Sequence, residues 1–303
     1  MIKYYSWALS EKLLSVLPLG DRLYYFLGSL VNKNKKGAHV SFISSLLLVK
    51  KATELTPENG IILDVGTGWF HHESFLLWLT GNYKIILFDI RDNSKLSYIK
   101  NYTKNILQNI RNISKELSLD EKSATLKLKK ILEMSAKEEI YEYCNFEFLV
   151  TKDMEKLKKH ENNIDFMLSN CVLNHIPLRI LKPELRVLKS LLKPGGLMYF
   201  LVGHDDHWSF HDTSANMFNY YRYSDNYYKT FFENKFEFQN RLVKPELDKL
   251  FIEAGLKVKE YTPYRTTESL KQIKKLGKID KRFSGLSDEE LSTIWSFYLL
   301  GLK

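Results

Sequence analysis

Short apolar runs alternate along the chain with longer segments in which apolar residues recur every three or four positions. Seven runs of strand length begin at Ile61, Lys84, Phe146, Ile164, Leu197, Leu256 and Ser296. The first two are almost continuously apolar, as expected of strands that are buried on both faces. Strands separated by helical segments predict an α/β fold with a mostly parallel sheet.

Two stretches of the chain are longer than a single crossing helix requires. Residues 1–54 have helical periodicity, broken at residues 18–20 and in a basic turn at residues 32–37, and they predict a helical N-terminal cap that ends in a helix over residues 40–52. Residues 93–145 predict an insert of two or three helices. The aromatic-rich residues 204–243 follow the fifth strand and predict a lid within one domain of residues 55–303.

The end of the first strand carries the clearest chemical signal. Ile61-Ile-Leu-Asp-Val-Gly-Thr-Gly-Trp-Phe70 is an apolar run that ends in an acid and two closely spaced glycines. Gly66 and Gly68 can adopt positive φ and let the backbone approach a ligand that a Cβ would block. The third glycine of a dinucleotide-binding fingerprint is missing, with Phe70 near its place, and a glycine turn can also be purely structural.

Asp89 ends the second strand about 20 residues beyond the glycines, which is the spacing of carboxylates that bind ribose hydroxyls. An acid at this place can instead cap the following helix. The carboxyl ends of neighbouring parallel strands meet at one edge of a sheet. The glycine turn and Asp89 therefore predict a nucleoside-binding site.

Two further motifs follow in the chain. They are Ile164-Asp-Phe-Met-Leu-Ser-Asn-Cys-Val-Leu-Asn-His-Ile-Pro177 and Leu191-Leu-Lys-Pro-Gly-Gly-Leu-Met-Tyr-Phe200. With the glycine turn and Asp89, they make residues 55–262 resemble the class I S-adenosylmethionine (SAM)-dependent methyltransferases. The resemblance implies SAM as cofactor and a Rossmann-like sheet of seven mostly parallel strands, with helices on both faces and an antiparallel last strand.

Shorter motifs resemble those of bacterial methyltransferases associated with surface-polysaccharide or small-molecule biosynthesis. They are Gly66-Thr-Gly-Trp69, Asp206-His207-Trp208, Tyr220-Tyr-Arg-Tyr-Ser224 and Asn240-Arg-Leu242. The sequence departs from this subgroup at His71 and His72, where a proline-containing segment is expected. It departs again at Leu201 and Gly203, where the subgroup often has a histidine and an aspartate.

The resemblance implies that eight residues contact the cofactor: Asp64, Gly66, Thr67, Gly68, Asp89, Ile90, Asp153 and Asn170. Asp64 would organise the amino group of SAM, and Asp89 would bind its ribose hydroxyls. Asn170 would face the cofactor from the fourth strand. Asp153 would meet the adenine amino group, although an acid at this place can equally cap a helix.

Methyl transfer to a hydroxyl requires a base beside the acceptor. His207 is the leading candidate, because imidazole titrates near neutral pH and the adjacent Asp206 or Asp205 could orient a histidine. His175 and His204 are rivals. Each of these histidines can instead be a packing residue.

Potential metal ligands occur in the same segment, at residues 204–207, His211 and Asp212, but without a regular ligand spacing. We therefore expect no metal, and activity that a chelator leaves intact. Cys144 and Cys171 lie far apart without a CxxC spacing, so neither a zinc ribbon nor a disulfide framework is predicted.

The 303-residue chain has a net charge of +9, with 45 Lys and Arg against 36 Asp and Glu. Lysine-rich solvated surfaces are common, and the chain has no added RNA-binding module, so nucleic acid is not expected as a partner. No segment resembles a signal peptide or approaches the roughly 20 apolar residues of a membrane span. We expect a cytoplasmic protein, with peripheral membrane contact and a homodimer left open.

Two functional hypotheses follow from these observations. The first is a SAM-dependent methyltransferase that modifies a hydroxyl of a sugar, glycan precursor or secondary metabolite, with a histidine as general base. The second is a non-catalytic or partner-dependent SAM-binding protein, in which the departures at Leu201 and Gly203 mark lost chemistry. Methylation of RNA or protein is a further alternative.

Overall fold

The computed structural model describes residues 2–20, 22–24 and 42–303. Seven strands form one sheet in the order β3-β2-β1-β4-β5-β7-β6. The strands are β1 (Ile61–Val65), β2 (Lys84–Asp89), β3 (Phe146–Val150), β4 (Ile164–Asn170), β5 (Leu192–Gly203), β6 (Leu256–Tyr264) and β7 (Trp295–Leu302). β7 pairs antiparallel with β5 and β6, and the other four pairings are parallel. The predicted Rossmann-like topology with an antiparallel last strand is confirmed.

The helices of the described residues lie before, between and after these strands. They are α1 (Ile2–Val16), α2 (Phe42–Leu55), α3 (His72–Thr80), α4 (Leu96–Gln108), α5 (Ile110–Leu117), α6 (Glu121–Glu133), α7 (Lys137–Tyr143), α8 (Leu178–Leu191), α9 (Asp225–Phe231), α10 (Lys244–Glu253), α11 (Thr267–Leu276) and α12 (Asp288–Leu291). Short 3-10 helices occur at Met154–His160, Leu173–His175, His207–His211 and Asn219–Arg222. Among the described helices, none has the length and apolar character that a membrane crossing requires.

The helical cap predicted over residues 1–54 contributes α1 and α2 to the described structure, and its basic turn at residues 32–37 lies outside the described residues. The insert at residues 93–145 holds four helices, α4 to α7, so the prediction of two or three was wrong. The segment has neither glycine nor proline to mark its breaks. One break is made by Ser118, which adopts a left-handed φ of 55° that its sequence does not announce.

Side chains of the central strands alternate between two apolar cores on opposite faces of the sheet. In β1, Ile62 belongs to one core and Leu63 and Val65 to the other. Helices α2 to α7 cover the first core, and α8 and α10 cover the second. Because both faces are covered, the strand ends are the part of the sheet left for a ligand.

β5 begins at Leu192, five residues before the predicted start at Leu197. The Lys-Pro-Gly-Gly turn therefore lies inside the strand, where the register against β4 shifts after Ile164. Gly195 has a φ of +84°, and a Cβ on Gly196 would lie 2.9 Å from the carbonyl oxygen of Ile164. The two glycines allow a β-bulge and a close backbone approach.

The lid predicted at residues 204–243 packs around a third apolar core with α1. Tyr220, Tyr221 and Tyr228 are buried in it, so these three tyrosines are packing residues. Helix α1 is fixed to the lid where Lys12 Nζ donates to the carbonyl oxygen of Lys229 at 3.1 Å. Helix α1 and the lid thus pack as one unit, whereas α2 of the cap packs on the sheet.

Candidate functional site

A cavity of about 570 Å³ lies at the carboxyl ends of β1, β2 and β4. Its walls include Gly66, Gly68, Trp69, Asp89, Ile90, Lys152, Met154, Leu173, His175, Ile176 and Ile180. The volume falls within the range of about 300–1,000 Å³ that small-molecule sites occupy. The predicted glycine turn, Asp89, Ile90 and His175 therefore meet around one cavity.

The glycine turn is held open toward this cavity. Gly66 and Gly68 have φ of +75° and +67°. The nitrogen of Gly66 donates to the carbonyl oxygen of Phe88 at 2.8 Å, which ties the turn to β2. A Cβ on Gly66 would overlap one methyl of Val172 and lie 2.9 Å from the other, whereas a Cβ on Gly68 would meet nothing closer than 3.9 Å. Gly66 is needed for packing, and Gly68 leaves space at the cavity wall.

Asp89 faces the cavity with both carboxylate oxygens positioned by backbone donors. Oδ2 accepts from the nitrogen of Gly68 at 3.0 Å, and Oδ1 accepts from the nitrogen of Arg91 at 3.1 Å. The next helix, α4, begins at Leu96 with Lys95 as its N-cap. The alternative that Asp89 caps this helix is therefore wrong, and its remaining lone pairs can accept from ligand hydroxyls.

His71, where the sequence departs from the subgroup, fixes the glycine turn from behind. Its Nδ1 hydrogen-bonds the Thr67 hydroxyl at 2.8 Å, and its Nε2 hydrogen-bonds the Tyr141 hydroxyl at 2.9 Å. Burial lowers the pKa of His71 to about 4, so the imidazole is neutral. The side chain of Thr67 therefore contacts His71, and the expected contact of Thr67 with the cofactor stays a prediction.

Asp64 lies behind the turn, fully buried, and accepts from the Ser74 hydroxyl at 2.6 Å. Burial, and then the charge of Glu73, raise the pKa of Asp64 to about 8. Glu73 accepts from the Asn170 amide and from the Ser45 hydroxyl, each at 2.6 Å. Neither Asp64 nor Asn170 is on the cavity wall, and their expected contacts with the cofactor stay predictions.

Asp153 serves as a helix cap in the structure. Its Oδ1 accepts from the nitrogen of Glu155 at 3.1 Å at the start of the 3-10 helix Met154–His160. The cavity wall is formed by its neighbours Lys152 and Met154. The capping alternative is therefore confirmed, and the contact with adenine stays a prediction.

His175 and His207 come together at the rim of the cavity. Their ring centroids are 4.8 Å apart. His175 Nδ1 lies 3.0 Å from the carbonyl oxygen of Phe238, and His207 Nδ1 lies 3.0 Å from Oε1 of Glu237. Because both partners can only accept, Nδ1 of each neutral imidazole carries the proton and Nε2 keeps its lone pair.

Glu237, rather than Asp206 or Asp205, is the carboxylate that orients His207. No local pattern indicates this pairing, because Glu237 and His207 are 30 residues apart in the lid. Asp206 is buried, and its carboxylate accepts from the Tyr4 hydroxyl at 2.6 Å and from the nitrogen of Trp208 at 3.0 Å. Burial raises the pKa of Asp206 to about 7. Asp206 thus joins α1 to the lid.

The other histidines of this segment lie apart from the pair. His204 is buried, its Nε2 is 2.6 Å from the Ser296 hydroxyl, and burial lowers its pKa to about 4. His211 stacks on Trp7 with ring centroids 4.8 Å apart. Of the three candidate bases, His175 and His207 therefore lie together, and His204 lies apart.

The environments of the two paired histidines push their pKa values in opposite directions. Burial, and then the neighbouring His207, lower the pKa of His175. Burial would also lower the pKa of His207, but the hydrogen bond and charge of Glu237, with the charges of Asp205 and Asp206, outweigh it and raise the pKa. His207 is therefore the stronger base of the pair.

Among the described residues, His175, His207 and Glu237 also form a group that could hold a divalent metal. One ligand atom from each lies within 4.8 Å of the other two. Two imidazoles and a carboxylate suit zinc or iron(II) better than magnesium. His211 and Asp212, which the sequence placed among the potential ligands, do not belong to this group.

Comparison with known proteins identifies a shared domain. A family model described as a methyltransferase domain matches residues 42–261 of this chain. The matched region contains the glycine turn, Asp89 and the residues of the histidine pair with Glu237. The search of curated protein sequences found no match.

Similar solved structures share little sequence with this chain. A SAM-dependent methyltransferase from Methanosarcina mazei has 14% identity, covers 84% of this chain and 96% of its own, and has a TM-score of 0.45. A putative sarcosine dimethylglycine methyltransferase from Galdieria sulphuraria has 13% identity, 86% coverage of both chains and a TM-score of 0.45. A putative methyltransferase of Haloferax volcanii, solved with the activator Trm112, has 16% identity, covers 86% of this chain and 91% of its own, and has a TM-score of 0.45.

Proposed function

Because this chain belongs to the class I SAM-dependent methyltransferase family, we propose that it methylates an oxygen of a small-molecule or glycan acceptor, with His207 as general base. The observation that carries this proposal is the pairing of His207 with Glu237 beside His175 on the cavity wall. A hydroxyl must lose its proton as the methyl group arrives, and a histidine with an orienting carboxylate meets that need. We place this reaction in the cytoplasm, in keeping with the free thiols of Cys144 and Cys171.

The cavity suits SAM in shape and in polar groups. Gly68 leaves room at the wall, and Asp89 presents carboxylate oxygens that would hold the ribose hydroxyls. Ile90, Met154 and Ile180 offer apolar walls for the adenine. When bound, SAM supplies a methyl group on a positively charged sulfur, and its leaving group needs no proton.

The chain's own contribution to the reaction is to orient the acceptor and to take up its proton. His175, which lines the cavity, can accept a hydrogen bond at Nε2 from a second hydroxyl of the acceptor, since Phe238 fixes the proton on Nδ1. His207 Nε2 takes the proton of the hydroxyl that is methylated, and the Glu237 carboxylate stabilises the imidazolium that forms. His175 remains the rival base, because it is the member of the pair on the cavity wall.

A metal at the same three side chains is the competing mechanism. A cation bound by Glu237 would have to displace the contact between this carboxylate and His207 Nδ1. We favour the base, because the existing hydrogen bonds already give both imidazoles the tautomer that proton transfer requires. Treatment with a chelator is therefore expected to leave the activity intact, and loss of activity restored by one added metal would overturn this choice.

The experiment is a methyl-transfer assay with labelled SAM and a panel of sugar, phosphorylated sugar and phenolic acceptors. Relative to the original enzyme, His207→Ala should bind SAM unchanged in calorimetry and lose about 100-fold in turnover. His211→Ala is the matched control, since His211 lies against Trp7 and apart from the pair. Unchanged turnover in His207→Ala would exclude this base, and transfer only to amines would exclude the oxygen acceptor. Failure of the folded protein to bind SAM would overturn the proposed function.

A further inference from the structure

A second concavity, of about 640 Å³, lies between α1, the lid and the loop that follows α11. We call it the cationic hollow and define it by six residues on its wall: Tyr5, Arg222, Tyr223, Tyr227, Lys278 and Lys281. These residues come from three separate parts of the chain. The hollow is distinct from the cavity that contains Asp89, since none of the described residues lines both.

The hollow carries an excess of positive charge. Arg222, Lys278 and Lys281 are exposed and take part in no ion pair among the described residues. Asp280 is the acid on the wall, and its Oδ1 accepts from the nitrogen of Arg282 in its own loop at 3.0 Å. Three cations against one carboxylate make the hollow attractive to an anion.

The neighbouring arginines show a different arrangement. Arg282 Nη2 lies 2.9 Å from Oε2 of Glu246, and Arg241 is paired with Asp225. These ion pairs join parts of the fold, since Arg282 is paired with α10 and Arg241 with the lid helix α9. The three cations of the hollow therefore differ from nearby structural arginines, because they are left available to a ligand.

Aromatic rings form another wall of the hollow. The rings of Tyr223 and Tyr227 stack with centroids 5.1 Å apart and an interplanar angle of 16°. The Tyr5 and Tyr223 hydroxyls lie 2.6 Å apart, which fixes this wall to α1. Flat aromatic surfaces pack against sugar rings, and cations beside them suit a phosphate attached to the sugar.

The hollow shares helix α1 with the segment that carries the proposed base. Tyr5 lines the hollow, and the preceding Tyr4 donates its hydroxyl to Asp206 at 2.6 Å. Tyr4 and Asp206 are both buried, so this contact belongs to the protein interior. The hollow is therefore a site of its own.

We propose that the cationic hollow binds the phosphate or diphosphate group of a phosphate-bearing sugar. This ligand would bind outside the cavity in which we propose methyl transfer. The binding itself depends only on the hollow. It can therefore be tested without methyl transfer.

The test is calorimetric titration of the full chain, saturated with the demethylated product of SAM, with inorganic pyrophosphate and with UDP. The variant Lys278→Ala/Lys281→Ala should raise Kd about tenfold or more, because each lysine would contribute a charge-assisted contact. The matched control Lys274→Ala/Lys275→Ala removes the same charge from exposed positions on α11 outside the hollow and should leave Kd unchanged.

Equal loss of binding in both double variants would overturn the proposal, since it would indicate general attraction to a basic surface. Absence of pyrophosphate and UDP binding in a protein that still binds SAM would overturn it and leave the proposed function standing. The last measurement is binding to vesicles of anionic phospholipid. Binding to vesicles without binding to pyrophosphate or UDP would indicate that the cations contact a membrane surface, and it would also overturn the proposal.

Discussion

The carboxylate of Asp89 accepts a hydrogen bond from the backbone nitrogen of Gly68 at 3.0 Å, across 21 residues of sequence. This contact joins the end of β2 to the glycine turn after β1. It fixes the carboxylate toward the cavity and at the same time satisfies a backbone donor of the turn. One residue thus supports the turn and presents a ligand-binding group.

We expect Asp89→Ala to weaken SAM binding at least about 100-fold, because it removes both the ribose acceptor and the partner of Gly68. Asp89→Asn separates these effects, since the amide oxygen can still accept from Gly68 but carries no charge. It should bind SAM better than Asp89→Ala and worse than the original protein. Calorimetry measures both, with Glu133→Ala, an exposed change on α6, as control. Unaltered affinity in Asp89→Ala would remove Asp89 from the site.

The two glycines of the turn should respond differently to a methyl group. Gly66→Ala is expected to lower the free energy of unfolding by about 1–3 kcal/mol, because the new Cβ overlaps Val172 at a positive φ. Gly68→Ala should cost only the strain of its backbone conformation, about 1 kcal/mol, and should mainly reduce SAM affinity. Denaturant unfolding of both variants measures the difference.

A double variant tests whether the clash with Val172 causes the loss of stability in Gly66→Ala. Gly66→Ala/Val172→Ala removes the methyl groups that the new Cβ would meet, so it should be less destabilised than the sum of the two single variants. Strict additivity would show that the clash with Val172 does not account for the cost.

Local features of the sequence were sufficient for the sheet, and for the glycine turn and Asp89 on the cavity wall. The end of β2 at Asp89 and the turn at Gly66 and Gly68 each depend on residues that are adjacent in the chain. Their spacing reflects the fixed geometry of a strand, a tight turn and a crossing helix. Patterns of this kind can be recognised in a single sequence.

The acceptor side of the site depends on contacts that no local pattern records. Glu237 reaches His207 from the far end of the lid, and Glu73 meets Asp64 through the packing of α3 on the sheet. The sequence predicted Asp206 or Asp205 as the orienting carboxylate, because both are close to His207 in the chain. In the structure, Asp206 instead accepts a hydrogen bond from the Tyr4 hydroxyl.

Because the carboxyl of Asp64 is buried, replacing it by a neutral group is expected to increase the free energy of unfolding at neutral and higher pH. Burial, and then Glu73, raise its pKa from 3.8 to about 8, so the folded protein keeps a proton that the unfolded chain releases. The stability that this proton provides is complete below about pH 4 and is lost as the pH rises toward 8. Asp64→Asn retains the size and can still accept from Ser74, but does not titrate.

Asp64→Asn should therefore become more stable, relative to the original protein, between pH 4 and pH 8. At pH 8 we expect a difference of at least about 1.4 kcal/mol, the free energy of one pKa unit. Denaturant unfolding at several pH values measures it, with Glu133→Gln as an exposed control. Parallel stability curves for Asp64→Asn and the original protein would contradict the raised pKa.

The proposed base predicts how the pH dependence of turnover should respond to its partner. His207 must be neutral to accept a proton, so turnover should rise as the pH passes upward through its pKa. Glu237 helps to raise that pKa. Glu237→Gln should therefore move the acid side of the profile to lower pH, and lower the maximal turnover because the imidazolium loses its carboxylate.

Glu233→Gln is the matched control, since it changes another lid glutamate that is not the partner of His207. It should leave the acid side of the profile in place. A metal at His175, His207 and Glu237 predicts a different result, because Glu237→Gln would then weaken metal retention, and added metal would restore turnover. A shift of the profile to lower pH, without response to chelator or metal, distinguishes an imidazole that takes the proton from one that holds a cation.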